Sequence, residues 1–160
     1  TQGILPNRRG PWFEDLAADE QVILSLIDEL ASQYNIDRKY ILLTGFSGGG
    51  FPMWYTGLRN PETFQMLIGR ATNSSIDLFE SIELTDAARE MPIYLYWGKD
   101  DLKPLQDQCW QAWRYLREHE CYEMDYKEIK GGHLRRPEFA YDYWSGYLPP
   151  NYRHRKAPTR

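Results

Sequence analysis

Cysteine is scarce. Cys109 and Cys121 are the only two in 160 residues, too few for a disulfide framework. They either pair with each other in an exported protein or sit as two buried thiols. A zinc centre needs four ligands at close spacing, and only His119 lies near the two, so no metal site is expected. No apolar run approaches the roughly 20 residues that span a bilayer. Positive charge is not in excess either: 19 Lys and Arg against 23 Asp and Glu leave a net charge of -4, which excludes the broad basic face of a nucleic-acid binder. Initiator Met and signal peptide are both lacking. The chain opens Thr1-Gln2-Gly3 and reads as a processed product or a piece of a longer protein, its compartment unknown from that start.

What the chain does have is aromatic residues, 12 Tyr, 6 Trp and 6 Phe, within a 42% apolar composition. That argues for a buried core and against disorder. Residues 1–148 read as one domain. Residues 149–160 form a basic tail, expected as a solvated terminus.

Residues 1–14 carry Pro6, Gly10 and Pro11 and read as loop. From Asp15, apolar residues at Leu16, Val22, Ile23, Leu26, Ile27, Leu30, Ala31 and Tyr34 recur at helical spacing. The run 40–44, bounded by Gly45, fits a strand buried on both faces, as parallel strands are. A Gly-rich turn, Gly45 to Gly50, leads to a helix over about 51–58 with Pro52 in its first turn. Further strands are expected at 64–68, 92–97 and 122–129, and helices at about 104–118 and 137–147. Residues 71–90 read as a polar excursion over the surface with a short helix near 84–89. Strands alternating with crossover helices predict an α/β fold, a parallel sheet of about four strands flanked by helices.

Reactive groups in such a sheet collect beyond the carboxyl ends of the strands. Ser47, Asp100 or Asp101, and His133 stand there in chain order. Gly45-Phe46-Ser47-Gly48-Gly49 fits G-x-S-x-G between strand and helix. Side chains two residues either side of the serine would collide with strand and helix, so glycine is needed at both places. The helix that follows aims backbone N–H groups, that of Gly48 first, at a developing oxyanion. A phosphate-binding turn is the alternative for the same glycines. Of three histidines, His119, His133 and His154, only His133 ends a strand, and a nucleophilic serine requires a base. Either adjacent aspartate can orient the imidazole, the other then capping the next turn or helix. The aromatics Phe46, Phe51, Trp54 and Tyr55 read as core packing.

These residues resemble the α/β-hydrolase family, in particular its secreted-esterase, dienelactone-hydrolase and polyester-depolymerase-like branches, over nearly the whole chain from about Trp12. Residues 35–41 resemble the helix-to-strand lead-in, 45–49 the nucleophile elbow, 60–64 the lead to the next strand, 98–101 the acid turn and 131–133 the histidine turn. Because the family's aspartate usually stands three residues after that glycine, the resemblance favours Asp101 over Asp100. It implies a serine hydrolase cleaving carboxylic esters, small or polymeric, through Ser47, His133 and Asp101, with no cofactor. It also allows export.

Complete members carry four strands before the one leading to the elbow, whereas only 39 residues precede Tyr40. The chain thus resembles the C-terminal part of the fold, with the early strands and the loop bearing the second oxyanion donor missing. Trp97 also stands where depolymerase-like members often have histidine. A bare first strand is a liability for pairing, so a missing N-terminal half, a second chain or a homo-oligomer is expected there. Two other functions stay open: a non-catalytic binding or structural protein, and a peptidase or acyltransferase using the same triad.

Overall fold

The computed structural model describes residues 12–152, with side chains from Asp15 onward. Four parallel strands, β1 (Leu42–Ser47), β2 (Met66–Thr72), β3 (Ile93–Gly98) and β4 (Met124–Ile129), form one sheet in the order β1-β2-β3-β4. Six helices accompany them: α1 (Trp12–Gln33), α2 (Gly50–Arg59), α3 (Ile76–Glu80), α4 (Asp86–Glu90), α5 (Lys103–Glu118) and α6 (Pro137–Ser145). The α/β class read from the sequence is the class observed.

Strands added one after another on the same side, each through a right-handed crossover, place their connecting helices on one face. The core follows that rule. Leu43, Leu67, Ile93, Leu95 and Trp97 point to a large cluster with residues of α1, α2, α3 and α5. The alternate positions Leu42, Met66, Ile68, Tyr94 and Tyr96 point to a smaller cluster with Phe139, Ala140, Tyr143 and Trp144 of α6. There the Tyr94 and Tyr143 rings stack with centroids 3.8 Å apart, and Trp144 Nε1–H donates to Gln65 Oε1 at 2.8 Å.

Several boundaries differ from the sequence reading. The first strand begins at Leu42, because Arg38–Tyr40 form a 3-10 turn capped by the Asp37 side chain. It runs on through Gly45 to Ser47, since pairing with β2 continues to the Ser47–Thr72 register. The segment 71–90 is not a surface excursion. Thr72, Asn73, Ser74, Leu78, Phe79 and Ile82 are buried, and α3, which the sequence reading missed, inserts Leu78 and Phe79 into the main core. Part of the polar surface of this segment is bonded within the core. Asn73 Nδ2 and the Ser74 N–H donate to Gln108 Oε1 at 2.8 and 3.2 Å, and Ser74 Oγ donates to the Gln108 carbonyl at 2.9 Å.

Helix α1 carries apolar residues on two sides. Leu16, Ile23, Leu24 and Ile27 pack on the main core, while Val22 and Leu26 are 66% and 51% exposed, with Leu30 in line behind them. Strand β1 pairs only with β2, so its other edge carries no strand among the described residues. The start of the tail is also not free. Tyr152 Oη donates to Asp37 Oδ2 at 2.8 Å and its ring lies 5.1 Å from that of Tyr40. That bond, with the Lys39 N–H, holds the Asp37 carboxyl below its ordinary pKa. The rest of the tail, 153–160, lies outside the described residues, as does most of the loop expected at 1–14.

Candidate active site

All four strands run in parallel, so their carboxyl ends open on one rim. Ser47, at the end of β1, has φ of +53°, the left-handed region that costs a side-chain-bearing residue roughly 1–3 kcal/mol and clusters at functional sites. The chain reverses there because Gly49 N–H donates to the Phe46 carbonyl at 2.9 Å. The turn is possible only where Cβ atoms are missing. One on Gly45 would meet the Gly49 carbonyl, and one on Gly50 would meet the Asn73 carbonyl. The sequence reading anticipated Gly45 and Gly49; Gly50 is more tightly enclosed than Gly49. The Asn73 N–H then donates to the Ser47 carbonyl at 2.9 Å, tying the elbow to the end of β2.

Beyond β3 and β4, two loops are laced together. Lys99 N–H donates to the Ile129 carbonyl at 2.8 Å and Asp100 N–H to the Gly131 carbonyl at 3.0 Å. This lacing brings His133 to Asp101, with Nδ1 at 3.0 Å from Oδ1 and 3.1 Å from Oδ2. The Asp101 side chain is fully buried and that of His133 is 30% exposed. Asp100, the alternative acid, points to solvent. Neither aspartate caps α5, contrary to expectation: the N-cap is Leu102, without a side-chain bond, and Asp101 Oδ1 instead accepts from the Leu102 N–H at 2.7 Å. Gln106 Nε2 fixes the loop by donating to the Asp101 carbonyl at 2.7 Å and the Lys99 carbonyl at 3.2 Å. Nothing in the sequence beyond its place in the first turn of α5 marked Gln106.

An imidazole whose Nδ1–H donates to a buried carboxylate presents Nε2 as an acceptor, the form a general base requires. Its ring is also supported from below. Phe46 stacks on His133 with centroids 4.6 Å apart and planes at 28°. Of the four aromatics expected in the core, Trp54 and Tyr55 are buried, Phe46 and Phe51 pack partly buried against the same core, and Phe46 in addition faces His133. The adjacency of Phe46 to Ser47 was the available signal. Through Phe46 the elbow and the histidine loop are neighbours, although no hydrogen bond joins Ser47 Oγ to His133.

His119 ends α5, its ring stacked on Tyr115 at 4.0 Å and its Nδ1 2.7 Å from the Tyr115 carbonyl. His154 lies outside the described residues. Cys109 and Cys121 are both free and buried. Among the described residues no cluster of His, Cys, Asp or Glu is arranged to hold a metal ion, and no helix is long and apolar enough to cross a membrane.

No protein-family profile matches the chain, and no curated protein matches it. Solved structures do. A variant of SOBER1 from Arabidopsis thaliana superposes with a TM-score of 0.67 at 17% identity, covering 84% of this chain and 65% of that one. A Bacillus cereus carboxylesterase gives 0.67 at 17% identity, covering 92% and 66%. Zea mays acyl-protein thioesterase 2 gives 0.63 at 15% identity, covering 90% and 68%. The chain therefore spans about two thirds of the length of these structures, and over that span it has the α/β-hydrolase fold found in esterases and thioesterases.

Proposed function

We propose that the chain carries the catalytic half of a serine hydrolase acting on carboxylic esters or thioesters. The observation that carries this reading is the Asp101–His133 pair held beside a serine in a left-handed strand-to-helix turn. In the proposed reaction Ser47 Oγ attacks the carbonyl carbon while its proton passes to His133 Nε2. The Gly48 N–H donates a hydrogen bond to the developing oxyanion. The leaving alcohol or thiol takes the proton from the imidazolium, and water, activated by the same base, then releases the acid from Ser47. Asp101 holds the ring tautomer and balances the imidazolium charge.

The esterase and thioesterase names of the structural neighbours support this chemistry in general terms. We further propose that the free edge of β1 and the Val22–Leu26–Leu30 stripe are covered by the additional polypeptide that the longer neighbours possess. That polypeptide would also provide the second oxyanion donor.

A second reading, a non-catalytic binding protein, draws on the lack of a hydrogen bond between Ser47 and His133. Labelling with a fluorophosphonate and hydrolysis of 4-nitrophenyl butyrate separate the two. The hydrolase reading expects both, with both lost in Ser47→Ala; turnover that survives Ser47→Ala refutes it. Comparison of amide with ester turnover tests the peptidase alternative.

A further inference from the structure

A chain with a net charge of -4 nevertheless places two uncompensated cations at this site. Arg70 sits opposite Phe46 in the β1–β2 register. Its guanidinium carbon lies 5.8 Å from the centre of the Phe46 ring, and that of Arg135 lies 5.9 Å from the same centre. Phe46 in turn stacks on His133. Arg70 is half-buried and fixed: its Nε–H donates to Thr44 Oγ1 at 3.0 Å and its Nη1–H to the Arg135 carbonyl at 3.2 Å. Neither arginine has a carboxylate partner among the described residues. The neighbouring Arg136 does, pairing with Glu138 at 3.4 Å.

Two like charges gathered on one ring repel each other. Arg70 moreover keeps unengaged N–H donors in the planar fork that suits a carboxylate. A cation–π contact offsets only part of that cost; an anion between the two guanidinium groups removes it. We infer that Arg70 and Arg135 form an anion-binding pair beside His133, and that the ester taken by this site bears a carboxylate. The inference rests on the hydrolase reading for the word ester, but the anion pair stands without it.

The test uses the intact chain. Turnover of 4-nitrophenyl hemisuccinate (anion on the acyl side) is compared with 4-nitrophenyl butyrate, and of 4-acetoxybenzoate (anion on the leaving group) with phenyl acetate. At least one charged ester is expected to exceed its neutral counterpart by about tenfold in kcat/KM, through KM. Arg70→Gln and Arg135→Gln should each bring the ratio of charged to neutral ester kcat/KM close to one. Arg135→Gln preserves the backbone carbonyl that holds Arg70, so Arg70 stays anchored in that variant. Calorimetry with the hydrolysis-resistant succinanilate anion and its neutral primary amide gives a readout independent of turnover, with only the anion losing affinity in the two variants. No preference in either arm, or no anion-selective binding, overturns the inference. Loss of fluorophosphonate labelling with anion binding intact refutes only the hydrolase reading.

Discussion

Gly98, the last residue of β3, lies directly beneath Gly131, whose carbonyl oxygen takes the place that a Cβ on Gly98 would need. The Gly132 carbonyl crowds the same point, and Gly131 itself has φ of +112°. This backbone-on-backbone approach lets the histidine loop cross the end of β3 and deliver His133 to Asp101.

Gly98→Ala must therefore push the two loops apart. Overpacking of this kind costs about 1–3 kcal/mol, so urea unfolding should show a loss in that range. Ester turnover should fall by more than the lost stability accounts for. A variant with wild-type stability and turnover would show that the approach is not required.

The buried carboxylate on His133 belongs to Asp101, so the two aspartates should separate cleanly on substitution. Asp101→Asn leaves an amide facing Nδ1 and favours the wrong tautomer, with an expected fall in kcat of about ten-thousandfold. Asp100→Asn, at a solvent-facing side chain, should leave kcat unchanged. Steady-state kinetics with a neutral ester distinguishes the pair.

Backbone strain at Ser47 gives a stability prediction independent of catalysis. Both Ser47→Ala and Ser47→Gly remove the hydroxyl, but only glycine adopts φ near +53° without a Cβ penalty. The glycine variant should be the more stable by about 1 kcal/mol in chemical denaturation. Equal stabilities would mean that the elbow relaxes once the serine is gone.

Alkaline pH should destabilise the fold. Burial pushes the Cys109 thiol from 9.0 up to about 12 and the Cys121 thiol from 9.0 up to about 11. The Tyr94 and Tyr96 hydroxyls are raised from 10.0 to about 12, again chiefly by burial. In each case the folded state holds the proton more tightly than the unfolded chain. The contribution is therefore complete below the unfolded value and is lost as pH rises through 9.0 toward about 12. Urea midpoints should fall between about pH 8.5 and about pH 10.5, and neither thiol should react with a thiol reagent faster than the protein unfolds.

The exposed stripe on α1 and the free edge of β1 predict that these 160 residues self-associate when no further polypeptide covers them. Size-exclusion chromatography should show concentration-dependent assembly, reduced by Leu26→Glu. A stable monomer at all concentrations would count against a covering partner.

The α/β class and the four strands were legible from the sequence, because short apolar runs bounded by glycine and helical stripes between them leave few other arrangements. The sequence also marked Ser47 and His133, since G-x-S-x-G after a strand and a lone strand-end histidine are local patterns. Between Asp100 and Asp101 the local pattern left both open and the family resemblance favoured Asp101; tertiary packing sets Asp101 against His133, because the β3–β4 loop lacing turns that neighbour inward. The same holds for the burial of residues 72–82, where Asn73 and Ser74 bond to Gln108, 35 and 34 positions away along the chain. It holds too for the gathering of Phe46, Arg70, His133 and Arg135. Local patterning reports which face a residue shows, whereas which distant residues share that face is set by strand order and register.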